Sequence, residues 1–316
     1  MSAVVCTLFE GNYHHGVAAL VNSLYQHGFR GTVYAGYKGS LPPWVEKTKQ
    51  VLFAENLKAE EFLVTEGLSI TFVKLDTDYH LTNYKPAFML QVVDNLKHNI
   101  DSIFYFDPDI VVKCNWEFYL HWVSCGIAAV HESVSSDMPE NHPRRFKWAE
   151  ISKTINLSIH HSLKSYFNAG FVGINTSNIQ FLHIWEQLTV HAIERYGMEQ
   201  NLLGKSDNQS VTLVCTDQDL FNLGLMITKE PISEFGPEGM DFISGGWLMS
   251  HATGSPKPWN KKYLSSLLAG YPPTRQDKEF YKYVNLKIKT INPREVSYKR
   301  VSMKVSSFLG RFYRRY

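Results

Sequence analysis

The chain opens on an unbroken apolar run from Ala3 to Phe9. Such a run predicts a strand buried on both faces of a parallel sheet. A turn-rich stretch follows, Glu10-Gly11-Asn12-Tyr13-His14-His15-Gly16. Val17, Leu20, Val21 and Leu24 then recur at helical spacing, and Gly28 ends that helix. Thr32–Tyr37 and Ile70–Leu75 read as further strands, with a helix predicted between them over Lys47–Lys58. Pro86 suits the first turn of a helix whose buried stripe is Phe88, Met89, Val92, Val93 and Leu96. Ser102–Phe106, Ile127–His131 and Phe171–Asn175 are strand-like. Helices are predicted over Ser177–Tyr196, Asp217–Asn222 and Lys261–Leu268. Residues 132–164 are polar and interrupted by proline, which predicts a functional loop or a small insertion. Alternating strands and helices predict an α/β fold with a mostly parallel central sheet flanked by helices. Ligands of such sheets bind beyond the carboxyl ends of the strands.

Composition narrows this little. The 316 residues are 44% hydrophobic and 20% charged, as in ordinary packed proteins. A net charge of +2 gives no reason to expect nucleic acid. The distribution matters more: residues 299–316 hold six Lys or Arg and no acid, so the rest of the chain is net acidic. Cys6, Cys114, Cys125 and Cys215 lack paired spacing, which predicts reduced core cysteines of a cytosolic protein. The first residues lack the basic start and length of a signal peptide. No window approaches the roughly 18 apolar residues of a membrane span.

Two elements carry candidate chemistry. Phe106-Asp107-Pro108-Asp109 ends the apolar strand with two carboxylates two residues apart. Proline and aspartate alone also suit a plain turn. Like charges repel, however, and a buried strand ending in two close carboxylates suits a divalent cation of the Mg²⁺ or Mn²⁺ type. Far downstream stands His251-Ala-Thr-Gly254-Ser-Pro-Lys257-Pro258-Trp259, a metal-capable imidazole, a glycine and a cation spaced three apart.

With these residues the chain resembles glycosyltransferase family 8, which includes glycogenin and the lipooligosaccharide galactosyltransferases. Four blocks match in order: Phe104–Val112, Tyr166-Phe-Asn-Ala-Gly170, Asp217-Gln218-Asp219-Leu-Phe-Asn222 and the His251–Trp259 block. The resemblance implies a GT-A (Rossmann-like) fold, a nucleotide diphosphate sugar donor (a UDP-sugar most often), Mn²⁺ or Mg²⁺, and retention at the anomeric carbon. By motif, Asp107, Asp109 and His251 would ligate the metal. Lys257 and the backbone at Gly254 would neutralise the leaving diphosphate. Asn168 and Ala169 occupy donor-sugar positions, and Asp217 and Gln218 those nearest the sugar ring. Asp217 equally suits a helix N-cap, and Tyr166–Gly170 a bend before a strand. Gln218 is a poor nucleophile, which favours a front-side transfer in which the leaving phosphate takes the acceptor proton. Lys85 resembles a basic donor contact but also reads as a solvated lysine. Tyr13 resembles a uracil-stacking tyrosine. The family's neighbouring aspartate is missing, so Glu10 or Asn12 would have to serve.

His14, His15, His131, His160 and His161 are assigned no role, and Arg144, Arg145 and Lys147 read as a solvated loop. The reading is therefore a metal-dependent hexosyltransferase acting on a carbohydrate or lipid-linked acceptor in surface glycolipid or polysaccharide assembly. A nucleotidyltransferase and a non-catalytic sugar-binding scaffold are its alternatives. The first lacks a glycine-rich basic loop after the opening strand, and the second has no need of the metal set. The domain division is a GT-A domain over 1–260, a helical extension over 261–298 and a basic amphipathic tail over 299–316. In that tail Val301, Val305, Phe308, Leu309, Phe312 and Tyr316 share a helical face, which suits an anionic membrane surface or a packed or subunit-pairing helix. A cytoplasmic protein, peripheral on the inner face of the membrane and open to homo-oligomerisation, is the expectation.

Overall fold

The computed structural model describes residues 2–53, 57–97, 99–133, 138–196, 213 and 216–312. In chain order the strands are β1 (Ala3–Glu10), β2 (Gly31–Lys38), β3 (Lys49–Phe53), β4 (Leu57–Thr65), β5 (Leu68–Lys74), β6 (Ser102–Phe106), β7 (Ile110–Val112), β8 (Ile127–His131), β9 (Phe167–Asn175), β10 (Ile232–Phe235) and β11 (Met249–His251). The helices are α1 (His14–Gln26), α2 (Lys85–Asn95), α3 (Trp116–Ser124), α4 (Pro143–Thr154), α5 (Gln180–Tyr196), α6 (Thr216–Ile227), α7 (Tyr263–Leu268), α8 (Arg275–Tyr283) and α9 (Pro293–Leu309).

Nine strands form one sheet in the order β10-β8-β9-β6-β1-β2-β5-β4-β3. Its centre, β6-β1-β2-β5, is parallel throughout, and β9, β4 and β3 join it antiparallel. The strand period explains why β1 is apolar at nearly every position. Val4, Cys6 and Leu8 enter the core on one face of the sheet, and Val5 and Phe9 enter the core on the other. α2, α5 and α6 cover the first face through Phe88, Phe181 and Leu220. α1 and α3 cover the second through Leu20 and Tyr119.

Three expectations change. Lys47–Lys58 holds no helix where it is described; β3 and β4 form a hairpin there, with Val51 paired to Ala59. Its Lys, Glu, Ala and Leu residues favour helix, but β3 pairs onto β4 and β4 onto β5, with Phe53 and Ala59 buried, and tertiary packing overrides that preference. Within residues 132–164, α4 is a formed helix. His142 Nδ1 accepts from Arg144 N at 3.2 Å, and Trp148 and Ile151, three residues apart, are buried. Arg144 and Arg145 are therefore not solvated. Arg145 is 1% exposed and donates to the carbonyls of Met138, Pro139 and Ser165; Lys147 alone of the three is exposed. Finally, Cys125 is exposed and Cys114 half-buried, so Cys6 alone of the described cysteines is a core residue; Cys215 lies outside the described residues.

The C-terminal helices return to the front of the molecule. Trp259, Tyr263 of α7, Phe280 of α8 and Met303 of α9 form one cluster with Ala19 of α1 and Val111 of β7. The tail helix begins at Pro293, before residue 299, capped by Asn292. It packs through Val296, Lys299, Ser302, Met303 and Ser306. The other face, with Val301, Val305, Phe308, Leu309 and Phe312, is exposed; Arg314, Arg315 and Tyr316 lie outside the described residues.

Candidate active site

A cleft of about 520 Å³ opens where β1 and β6 end and β9 begins, within the range of small-molecule sites. Asp107 continues the sheet by donating its N–H to the Gly170 carbonyl at 2.7 Å. Ile110 N then donates to the Asp107 carbonyl at 3.0 Å, closing a turn with Pro108 at its second position. The turn and the carboxylate pair are thus one device. β7 leaves this turn and pairs antiparallel with β11, setting His251 opposite Ile110. Ala252 N donates to the Asp109 carbonyl at 3.0 Å. That two-stranded ribbon brings His251 to the aspartates across a long stretch of sequence.

The ligand-type atoms of Asp107, Asp109 and His251 lie within 4.8 Å of one another. His251 Nε2 stands 3.2 Å from Asp109 and 3.8 Å from Asp107. Two carboxylates and an imidazole suit Mn²⁺ or Mg²⁺. His251 Nδ1 is buried without a protein partner, and such a nitrogen is commonly paired with water or protein in metal sites. Two glycines let the parts converge. A Cβ at Gly170 would lie 2.4 Å from His251 Cε1 and 2.9 Å from Asp107 Oδ2. A Cβ at Gly16 would lie 2.2 Å from the Pro108 carbonyl oxygen.

Lysines neutralise both carboxylates. Lys85, the first residue of α2, is 1% exposed and not solvated. Its Nζ lies 3.2 Å from Asp107, 3.1 Å from Asp217 and 3.0 Å from the Ala169 carbonyl. Burial opposes its charge, but the two aspartates hold its pKa above the usual lysine range. Lys257 Nζ lies 2.5 Å from Asp109 Oδ2 and 2.8 Å from the Ala252 carbonyl. Burial likewise opposes ionisation of Asp109, and His251 and Lys257 overcome it and hold its carboxyl below the usual range.

β9 and α6 supply the opposite wall. Two steps along β8 span five along β9, from Ala128↔Gly173 to Val130↔Asn168. This irregularity lies within the strand, which begins at Phe167 and not after a bend. Asn168 Oδ1 accepts from Gly170 N at 2.8 Å, and Ala169 N donates to Gln218 Oε1 at 3.2 Å. Asp217 lies inside the first turn of α6 and pairs with Lys85. Asp219 is fully buried and is held by Arg144 and by the Tyr166 hydroxyl at 2.6 Å. Asn222 bonds both backbone groups of Phe167, so this block also pins β9 to α6.

Tyr13 lines the cleft. Its ring meets Trp259 edge-on at 5.4 Å, with Lys257 5.8 Å from its centre. Glu10 also lines the cleft, whereas Asn12 is exposed outside it. Gly254 sits on the exposed loop over residues 253–256, and a Cβ there would meet nothing within 4 Å. Among the lining residues to which the sequence reading gave no role are Tyr105, His80 and Glu132. Tyr105 OH donates to Asp107 at 3.0 Å. Glu132 accepts from Asn168 Nδ2 at 2.6 Å. Its position just after β8 was the available signal, since Asp107 follows β6 in the same way. His80, before a 3-10 turn, carried no such signal.

No protein-family profile matches the chain, and no curated protein matches it. Among solved structures, the apo form of WbbM, a bifunctional glycosyltransferase, is similar with a TM-score of 0.54 and 16% identity, over 94% of this chain and 52% of that one. The glycosyltransferase GlyE of Streptococcus pneumoniae is similar with a TM-score of 0.50 and 15% identity, over 96% of this chain and 64% of that one. The chain therefore spans between half and two thirds of the length of these structures. The fold, a large α/β sheet with a parallel centre and helices on both faces, is the GT-A glycosyltransferase fold.

Proposed function

We propose that the protein is a metal-dependent, retaining glycosyltransferase that moves a hexose from a nucleotide diphosphate sugar, a UDP-sugar by resemblance, to an acceptor hydroxyl. The observation that carries this reading is the convergence of Asp107, Asp109 and His251 beside Lys257 and Lys85 in one cleft of a glycosyltransferase fold. Bound there, a divalent cation would supply Lewis acidity to the diphosphate. Lys257 is the chain's own cation for the leaving phosphate, a preorganised electrostatic role. Gly254 lies on the loop beside Lys257 but does not line the cleft, and its backbone would reach a phosphate only by approach of that loop. Tyr13, which lines the cleft with Glu10 but without Asn12, would stack on the base. Asn168, Asp217 and Gln218, which line the cleft, would face the sugar, whereas Ala169 is buried in the core and lines no part of the cleft. Gln218 is an amide and Asp217 is engaged by Lys85, which favours front-side transfer over a carboxylate nucleophile. Hydrolysis of a panel of nucleotide sugars with Mn²⁺ tests the reading: turnover of one donor, lost with chelator, is expected. Inactivity towards every donor, with no donor raising the melting temperature, would contradict it.

A lipid-linked acceptor in surface glycolipid or polysaccharide assembly is the proposed partner class, supported by α9. Its exposed Val301, Val305, Phe308, Leu309 and Phe312 adjoin a groove bearing Lys278, Lys282, Arg300, Lys304 and Arg311. Apolar side chains flanked by cations suit an anionic bilayer surface. No helix among the described residues is long and apolar enough to cross a membrane.

A further inference from the structure

Lys85 and Lys257 both neutralise a cation-site aspartate, but different elements hold them. Lys85 is locked by three acceptors at the start of a buried helix. Lys257 hangs from the loop between β11 and α7, whose residues 253–256 are exposed. Gly254 in that loop has no neighbour within 4 Å of where a Cβ would stand. Both oxygens of Asp109 are already used: Oδ1 lies 3.2 Å from His251 and Oδ2 lies 2.5 Å from Lys257. A divalent cation on Asp109 therefore meets an ammonium on the same carboxylate, and like charges at such separations repel strongly.

We infer that Lys257 is an exchangeable counter-ion, which occupies Asp109 until a diphosphate draws it away and so keeps cation affinity low in the donor-free protein. This rests on the reading of Asp107, Asp109 and His251 as a cation site. A diphosphate offers Lys257 another anionic partner inside the same cleft. Removing the ammonium from Asp109 frees an oxygen for the metal and relieves the repulsion. Cation and diphosphate then strengthen each other's binding, and by linkage the effect is the same in both directions. Lys257 is thus assigned a second role, opposite in sign to simple donor contact: its loss strengthens metal binding when no nucleotide is present.

The test is titration with Mn²⁺, read by the electron paramagnetic resonance signal of the free ion, with and without UDP. The proteins are wild type, Lys257→Met, Lys257→Arg and Asp109→Ala. Without UDP, Lys257→Met is expected to bind Mn²⁺ about tenfold more tightly than wild type, the size of effect expected of one charge-charge contact partly screened by water. Lys257→Arg keeps the charge and should match wild type. UDP should tighten Mn²⁺ binding more in wild type than in Lys257→Met. Equal or weaker binding by Lys257→Met, or equal tightening by both the Met and Arg variants, overturns the exchange. Equal coupling to UDP in wild type and Lys257→Met overturns it as well. If, with UDP present, wild type binds Mn²⁺ no better than Asp109→Ala, the cation site itself is refuted, and the exchange with it.

Discussion

The two lysine-aspartate contacts in the cleft are built alike, each ammonium also donating to a backbone carbonyl, and differ in the element that carries the lysine. Lys85 sits at the root of α2, under the sheet's carboxyl edge, and links Asp107 of the β6 turn to Asp217 of α6. Lys257 rests on Asp109 from a surface loop. The first contact joins three separately folded elements and serves the architecture. The second is made from the loop after β11, and its proposed role is in the chemistry. A charge at an active site is thus assigned a role by what holds it, and not by what it touches.

The largest expected effect separates these roles. Lys85→Ala leaves the buried Asp217 and the half-buried Asp107 without their cation and should cost about 3–5 kcal/mol of stability in urea unfolding. Lys257→Ala should cost less, about 1–3 kcal/mol, because Asp109 keeps His251. Its effect belongs in turnover: a loss of about 10²–10³ is expected if it acts like a single oxyanion donor. Similar stability losses for the two variants would erase the distinction.

Two glycines sharpen it at smaller scale. Gly170→Ala puts a methyl group against His251 and Asp107, so it should destabilise by about 1–3 kcal/mol and weaken Mn²⁺ binding measured by calorimetry. Gly254→Ala meets no protein atom within 4 Å, so stability should stay within about 0.5 kcal/mol. A weaker donor affinity in that variant would then report on the ligand alone. The smallest effect on stability is expected at α9. Phe308→Ser and Phe312→Ser, exposed positions, should unfold like wild type yet reduce flotation with anionic liposomes at low salt. Wild-type protein that ignores such liposomes removes the membrane reading.

Much of this arrangement was legible in the chain. The apolar runs located the sheet because strands buried on both faces leave no polar alternation. Asp107 and Asp109 were legible because charge at the end of such a run needs a reason. His251 and Lys257 were legible as a metal-capable imidazole and a cation, but their ligand and diphosphate roles came through resemblance, since the β7–β11 pairing that delivers them is three residues long on each side. Lys85 was ambiguous for a physical reason: a buried lysine and a solvated one look identical until Asp107 and Asp217 are placed. α4 was hidden by its polar composition, its helix being anchored by the buried Arg145. The β3–β4 hairpin was hidden because its partner, β5, and not its own residues, decides its conformation. Glu132 was passed over although it stands at a strand end as Asp107 does.

The central claim is that Asp107, Asp109 and His251 hold the cation on which transfer depends. The most direct measurement is Mn²⁺-dependent release of UDP from the best nucleotide sugar, by wild type and by Asp109→Ala, with circular dichroism confirming that both are folded. The account predicts saturable Mn²⁺ activation in wild type and a loss of at least about 100-fold in the variant, comparable to removing one essential electrostatic group. Undiminished turnover by folded Asp109→Ala, or by wild type in excess chelator, would contradict it.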